Sequence, residues 1–265
     1  MGISLLKIFI FSVALKVCFS DASACLLAQD LFRALGPLPR NINYEIPYLI
    51  EKSLADKKLI KIYDLNEAYK IGRYFGITIA QNFRGRHVRE QLFTLNVIFN
   101  QISNLPAGLI QKIKNQVIIE LVANDITESV TFQEYYGQKF EYDIQSGQPY
   151  IRLYQELEGC ALGKCVAVAS KCINRDSGRN VLLHELGHAV DAIYDYISDT
   201  SKYNQIHKKT GFVDSYLTGS PQETFAEGFA YFFESVDTRK KLKQIDPRLH
   251  DFIFNNIYWP NLAMN

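Results

Sequence analysis

Two histidines four residues apart, with a glutamate directly after the first, constrain this chain more than any other feature: His184-Glu185-Leu186-Gly187-His188. On a helix that spacing places both imidazoles on one face, where they can share a metal ion. Glu185 lies beside the same face, positioned to hold a metal-activated water and take its proton during attack on a peptide carbonyl. Val181-Leu182-Leu183 before the motif and Ala189-Val190 after it are compatible with a helix, and Gly187 permits close approach of a neighbouring backbone. Zinc suits imidazole and carboxylate ligands, because it polarises a carbonyl and acidifies water without redox chemistry. The expectation is a single Zn2+ ion held by His184 and His188, with Glu185 as general base.

A catalytic zinc site needs a third protein ligand and an open position. A third histidine six residues after His188 is excluded, since that position is Tyr194. Downstream, Pro221-Gln222-Glu223-Thr224-Phe225-Ala226-Glu227-Gly228-Phe229-Ala230-Tyr231-Phe232-Phe233 reads as a second helix opened by its proline. Glu223 and Glu227 then share one face, while Phe225, Phe229 and Phe232 take the buried side. Two carboxylates on a largely aromatic helix repel and ask for a cation. One would bind the metal and the other would hold the free ring nitrogen of a ligand histidine. Exposure of both to solvent is the bland alternative. Asp214, in Gly211-Phe212-Val213-Asp214-Ser215-Tyr216, is a competing third ligand. Asp191, one turn past His188, reads as a surface or cap residue, with support of the helix or of a ligand as the alternative.

The segment Leu183-His184-Glu185-Leu186-Gly187-His188-Ala189-Val190-Asp191, followed by Glu223-Thr224-Phe225-Ala226-Glu227-Gly228-Phe229-Ala230, resembles the catalytic domain of the anthrax lethal factor and Pro-Pro endopeptidase family. The resemblance covers about Gln91 to Asn265. It implies a zincin-like metallopeptidase domain of α+β class. It also implies Glu223 as the third zinc ligand, Glu227 as the support of a ligand histidine, and Tyr216 as a phenol that stabilises the oxyanion. Three features depart from the family pattern: a cysteine-bearing turn before the motif, Thr224 in place of an aromatic after Glu223, and Gly228 inside a helix. They bear on subsite shape and substrate preference.

Upstream, Val117 to Val122, Tyr150 to Tyr154 and Val166 to Ala169 are strand candidates. Leu92, Leu95, Val97, Ile98 and Ile102 mark an amphipathic helix, and another can open near Leu105-Pro106. From Asn180 onward the chain reads as helical, with a polar connector around Ser198 to Gly211. Residues 90–265 are therefore expected to form the catalytic domain, a small mixed sheet followed by helices. Residues 25–89 are expected to be a mostly helical accessory region or prosegment. Their basic stretch, Arg84-Gly85-Arg86-His87-Val88-Arg89, is either a processing site or a solvated face. A peptide substrate is expected along an edge strand, for which Val166 to Ala169 is the candidate.

Lys7 precedes an apolar run from Ile8 to Leu15, and Ala22-Ser23-Ala24 follows, the pattern of a secretory signal over residues 1–24. That run is too short to span a bilayer as a helix. The expected location is therefore secreted, periplasmic or cell-surface, without stable membrane insertion. Cysteine usage agrees with export, because removal of Cys18 leaves Cys25, Cys160, Cys165 and Cys172 for two disulfides. A hairpin turn between Cys160 and Cys165 would pair those two and leave Cys172 for Cys25, although the pairing is not deducible from spacing. Lipidation of Cys25 is a competing reading. A net charge of +1 offers no field for nucleic acid or acidic membranes, so the expected partner is a peptide or protein substrate of a monomeric enzyme. The alternative is a non-catalytic zinc-containing binding module, against which Glu185 speaks, since a structural site has no need of a water-activating carboxylate.

Overall fold

The computed structural model describes residues 62–143, 149–173, 180–212 and 219–262. Helix α1 (Leu65–Tyr74) opens where the Asp64 side chain accepts from the Glu67 N–H, and the chain reverses at Gly76, whose φ of 76° suits a residue without Cβ. Strand β1 (Ile77–Ile79) follows, then helices α2 (Gln81–Arg84), α3 (Val88–Ser103) and α4 (Ala107–Gln116). Leu95, Ile98, Phe99 and Ile102 recur at helical spacing along α3 and are all buried. Pro106 occupies the N-cap of α4, where its missing N–H costs nothing.

Five strands come next: β2 (Ile118–Val122), β3 (Lys139–Asp143), β4 (Pro149–Leu153), β5 (Gly159–Leu162) and β6 (Cys165–Ala169). The main sheet has the order β1-β2-β6-β5; the first three strands are parallel and β5 runs antiparallel to β6. β3 and β4 form a separate antiparallel pair, so the strand expected near Tyr150 lies outside the main sheet. The whole is a mixed α+β arrangement, as the sequence leads one to expect.

Two expectations about this sheet need correction. Val166 to Ala169 belongs to β6, which is buried throughout and lies between β2 and β5, so the edge strand on that side of the sheet is β5. The cause is local: the two-residue turn Gly163-Lys164, with Gly163 at φ 57°, folds Gly159–Leu162 back over the outer side of β6. The same turn undoes the Cys160–Cys165 pairing. It sets Leu162 opposite Cys165 and Cys160 opposite Ala167, two residues out of register, and Cys160 keeps a free thiol. Cys25, and with it the signal segment and most of the 25–89 region, lies outside the described residues.

The part of that region which is described, 62–89, does not end in a gap in the packing. β1 pairs with β2, and Ile71, Phe75 and Ile77 share one core with Leu95, Phe99 and Leu121. The basic stretch is a turn between α2 and α3, tied down by the Gln91 amide, which donates to the carbonyls of Arg84 and Arg86 at 3.0 and 2.6 Å.

After α5 (Ser170–Ile173), helix α6 (Val181–Ile193) carries the histidine motif. The Asn180 side chain caps it by accepting from the Leu183 N–H at 3.0 Å. Helix α7 (Ser201–His207) lies within the stretch expected as a connector. Helix α8 (Pro221–Glu234) has Pro221 in its first turn, and Ser220 accepts from the Glu223 N–H at 3.1 Å. Helices α9 (Val236–Ile245) and α10 (Pro247–Ile253), a π-helical turn (Phe254–Tyr258) and α11 (Trp259–Leu262) complete the described chain. Among the described residues no helix is long and apolar enough to cross a membrane.

α6 packs against β5 and β6 and against α8. The second contact needs Gly187, where a Cβ would lie 2.7 Å from the Ala226 Cα. Gly228 has an equivalent reason, since its Cβ would lie 2.6 Å from Leu249 Cδ2 on α10. Gly187→Ala adds about 1 kcal/mol of helix propensity but forces two backbones apart, an overpacking that costs about 1–3 kcal/mol. The expected result is a lower urea midpoint at unchanged slope; a raised midpoint would mean that the helices do not touch there.

Candidate active site

α6 and α8 bring the candidate ligands together. His184 Nε2 lies 3.1 Å from Glu223 Oε2, and His188 Nε2 lies 3.4 Å from Glu223 Oε1. The three donor atoms are within 4.8 Å of one another. Ligands about 2.1 Å from a tetrahedral zinc stand roughly 3.4 Å apart, so this spacing fits the ion. The hydrogen bonding fits as well. His184 Nδ1 is 3.0 Å from Glu227 Oε2, and donation there leaves Nε2 presenting a lone pair toward the Glu223 carboxylate. Two acceptors that close require a proton or a cation between them. His184, Glu223 and Glu227 are all buried, at 3%, 8% and 3% exposure, which makes such a cation worth far more than at the surface. Burial pushes the Glu223 carboxyl up, yet with protons on the two Nε2 atoms the hydrogen bonds and charge of His184 and His188 outweigh it and hold Glu223 well below the usual carboxylate range.

Glu185 and His188 face a cleft of about 180 Å³, lined also by Glu223, Gly159, Cys160 and Tyr196. Gly159 on β5 lets the Glu185 side chain lie against the edge strand, because a Cβ there would sit 2.7 Å from Glu185 Cγ. Burial, reinforced by the Glu185 and Glu223 carboxylates, pushes the Cys160 thiol well above its ordinary range. That shift disfavours the thiolate, the nucleophilic form.

Asp191 is not a surface residue. It is 1% exposed and accepts from the Ser198 N–H at 2.9 Å and from Ser198 Oγ at 2.5 Å. Burial pushes its carboxyl up, opposed by the Ser198 hydrogen bonds. Thr224, the departure beside Glu223, is fully buried and accepts from His207 Nδ1 at 2.9 Å while donating to the Ser220 carbonyl at 3.1 Å. Its hydroxyl ties α7 to α8. Tyr216 and Asp214 lie outside the described residues. Sequence reasoning gave no place in the site to Gly159, Cys160 or Tyr196, because a strand pairing and a loop geometry bring them there.

A mixed α+β fold in which two histidines of one helix and a glutamate of another converge beside an edge strand defines a metallopeptidase. The family model described as "Anthrax toxin lethal factor, N- and C-terminal domain" matches residues 81–256, and the chain belongs to that family. It is similar to the Pro-Pro endopeptidase of Clostridioides difficile (strain 630), 29% identical over 168 residues, which are 60% of this chain and 74% of the relative. The solved structure of the Pro-Pro endopeptidase PPEP-2 from Paenibacillus alvei shares the fold, with a TM-score of 0.56 at 21% identity over 68% of this chain and 96% of that one. The chain is a metalloendopeptidase.

Proposed function

We propose that the chain is an exported, zinc-dependent endopeptidase whose metal is held by His184, His188 and Glu223. The observation that carries this reading is the convergence of the two Nε2 atoms on the buried Glu223 carboxylate. Zinc, when bound, supplies Lewis acidity toward the scissile carbonyl and the attacking water. Glu185, in the same cleft but outside the donor set, accepts the proton of that water on its carboxylate and passes it to the leaving amine. Glu227 holds His184 by its Nδ1–H, which fixes the tautomer. On the family resemblance, Tyr216 donates its phenol to the developing oxyanion. The substrate strand adds to β5, whose outer side is unpaired by any described strand. Export rests on the signal pattern of residues 1–24.

The test is a peptide-library cleavage profile with and without a zinc chelator. The relative's name is the reason to include Pro-Pro bonds among the peptides. Chelation is expected to abolish cleavage and added zinc to restore it. Zinc binding without cleavage of any peptide would instead favour the non-catalytic binding module.

A further inference from the structure

The turn after α6 is built to present a side chain that the proposed chemistry does not use. Asp195 and Tyr196 are consecutive residues with φ of 54° and 57°. Aspartate visits this left-handed conformation readily, but a bulky residue such as Tyr196 is strained by it. The surroundings enforce it here. The Tyr196 N–H donates to the Asp191 carbonyl at 2.8 Å, the Asp199 N–H donates to the Tyr196 carbonyl at 2.9 Å, and the buried Asp191 carboxylate grips Ser198. Backbone strain held in place this firmly marks a side chain whose direction matters.

Tyr196 points into the cleft. It is 49% exposed, yet it lines the same cavity as Glu185, His188 and Glu223. Its hydroxyl reaches the β5–β6 turn, where a Cβ built on Gly163 would lie 4.0 Å from Oη. The phenol therefore narrows the cleft beside the end of the edge strand. Leu157 and Ala161 supply apolar lining, and Glu185 and Glu223 supply carboxylates.

We propose that Tyr196 is a specificity-determining residue, pinching the cleft against the Gly163 turn so that the substrate side chain seated there is small. The inference rests on the peptidase reading above and extends it to substrate class: an extended peptide with Gly-, Ala- or Ser-sized occupancy at one subsite. The left-handed φ makes a clean test possible, since asparagine adopts it more readily than tyrosine. Tyr196→Asn should therefore fold with an unchanged or raised Tm and keep its zinc while losing the ring.

The experiment profiles wild type, Tyr196→Phe and Tyr196→Asn against one peptide library varied from Gly to Phe and Glu at each position around the cleaved bond. In Tyr196→Asn the ratio of kcat/KM for bulky over small residues should rise at least about tenfold at a single position, while Tyr196→Phe keeps the wild-type profile. A parallel arm measures binding of the same peptides to zinc-loaded Glu185→Gln protein, with and without the added Tyr196→Asn substitution, which reads size selectivity in the absence of turnover. An unchanged profile and equal binding in Tyr196→Asn overturn the proposal, as does a uniform loss on all peptides with zinc retained. A wild type that cleaves nothing sinks the peptidase reading instead, and the binding arm still decides the role of Tyr196.

Discussion

Glu185→Gln is expected to lower kcat by about 10²–10⁴-fold while the protein keeps its zinc, because the amide preserves shape but cannot accept a proton. The size of the effect follows from placement. Glu185 lies in the cleft with His188 and Glu223 yet outside the three-atom donor group, so its loss should leave metal content untouched. Gly159 leaves room for the side chain against β5, and the isosteric glutamine fits the same space. Turnover of the best library peptide and zinc content per chain, measured on one sample, decide the matter. A parallel fall in both would make Glu185 part of the metal site, and no change in either would remove catalysis from it altogether.

Glu223→Ala should abolish stoichiometric zinc binding, whereas Glu227→Gln should weaken it by about 10–100-fold. The difference in expected size reflects two kinds of contact. Glu223 offers its oxygens to the Nε2 atoms of both histidines, so its removal leaves two imidazoles, fewer than a catalytic zinc site requires. Glu227 meets His184 at Nδ1, on the far side of that ring, and its removal frees the imidazole to turn without deleting a ligand. Competition with a chromogenic chelator measures both affinities. Zinc retained in full by Glu223→Ala would move the third ligand to Asp214, and a larger loss in Glu227→Gln than in Glu223→Ala would exchange the two roles.

The helix pair is legible in the sequence because its signals are local. The four-residue spacings His184 to His188 and Glu223 to Glu227, Pro221 at a helix start, and small residues at Gly187 and Ala226 act within one or two turns. The sheet is less legible. β1 has three residues, too few for an alternation to stand out, and so the core's extension to Ile71 and Ile77 is hidden in an apparently helical stretch. The edge position of β5 and the free thiol of Cys160 both depend on a two-residue turn, where a shift of one residue changes every cross-strand partner. Asp191 reads as a surface charge until Ser198 is seen to fold back onto it, and nothing in the order of residues announces that return.

The contact of Gly187 with Ala226 also bears on what happens when zinc is withdrawn. Two helices whose backbones meet without an intervening side chain have little freedom to slide or roll, so they behave mechanically as a single piece. The donor atoms on the two helices are then spaced by the fold rather than gathered by the ion. Chelated protein should accordingly keep its helical circular dichroism and reload as a template does, within mixing time and without a refolding lag.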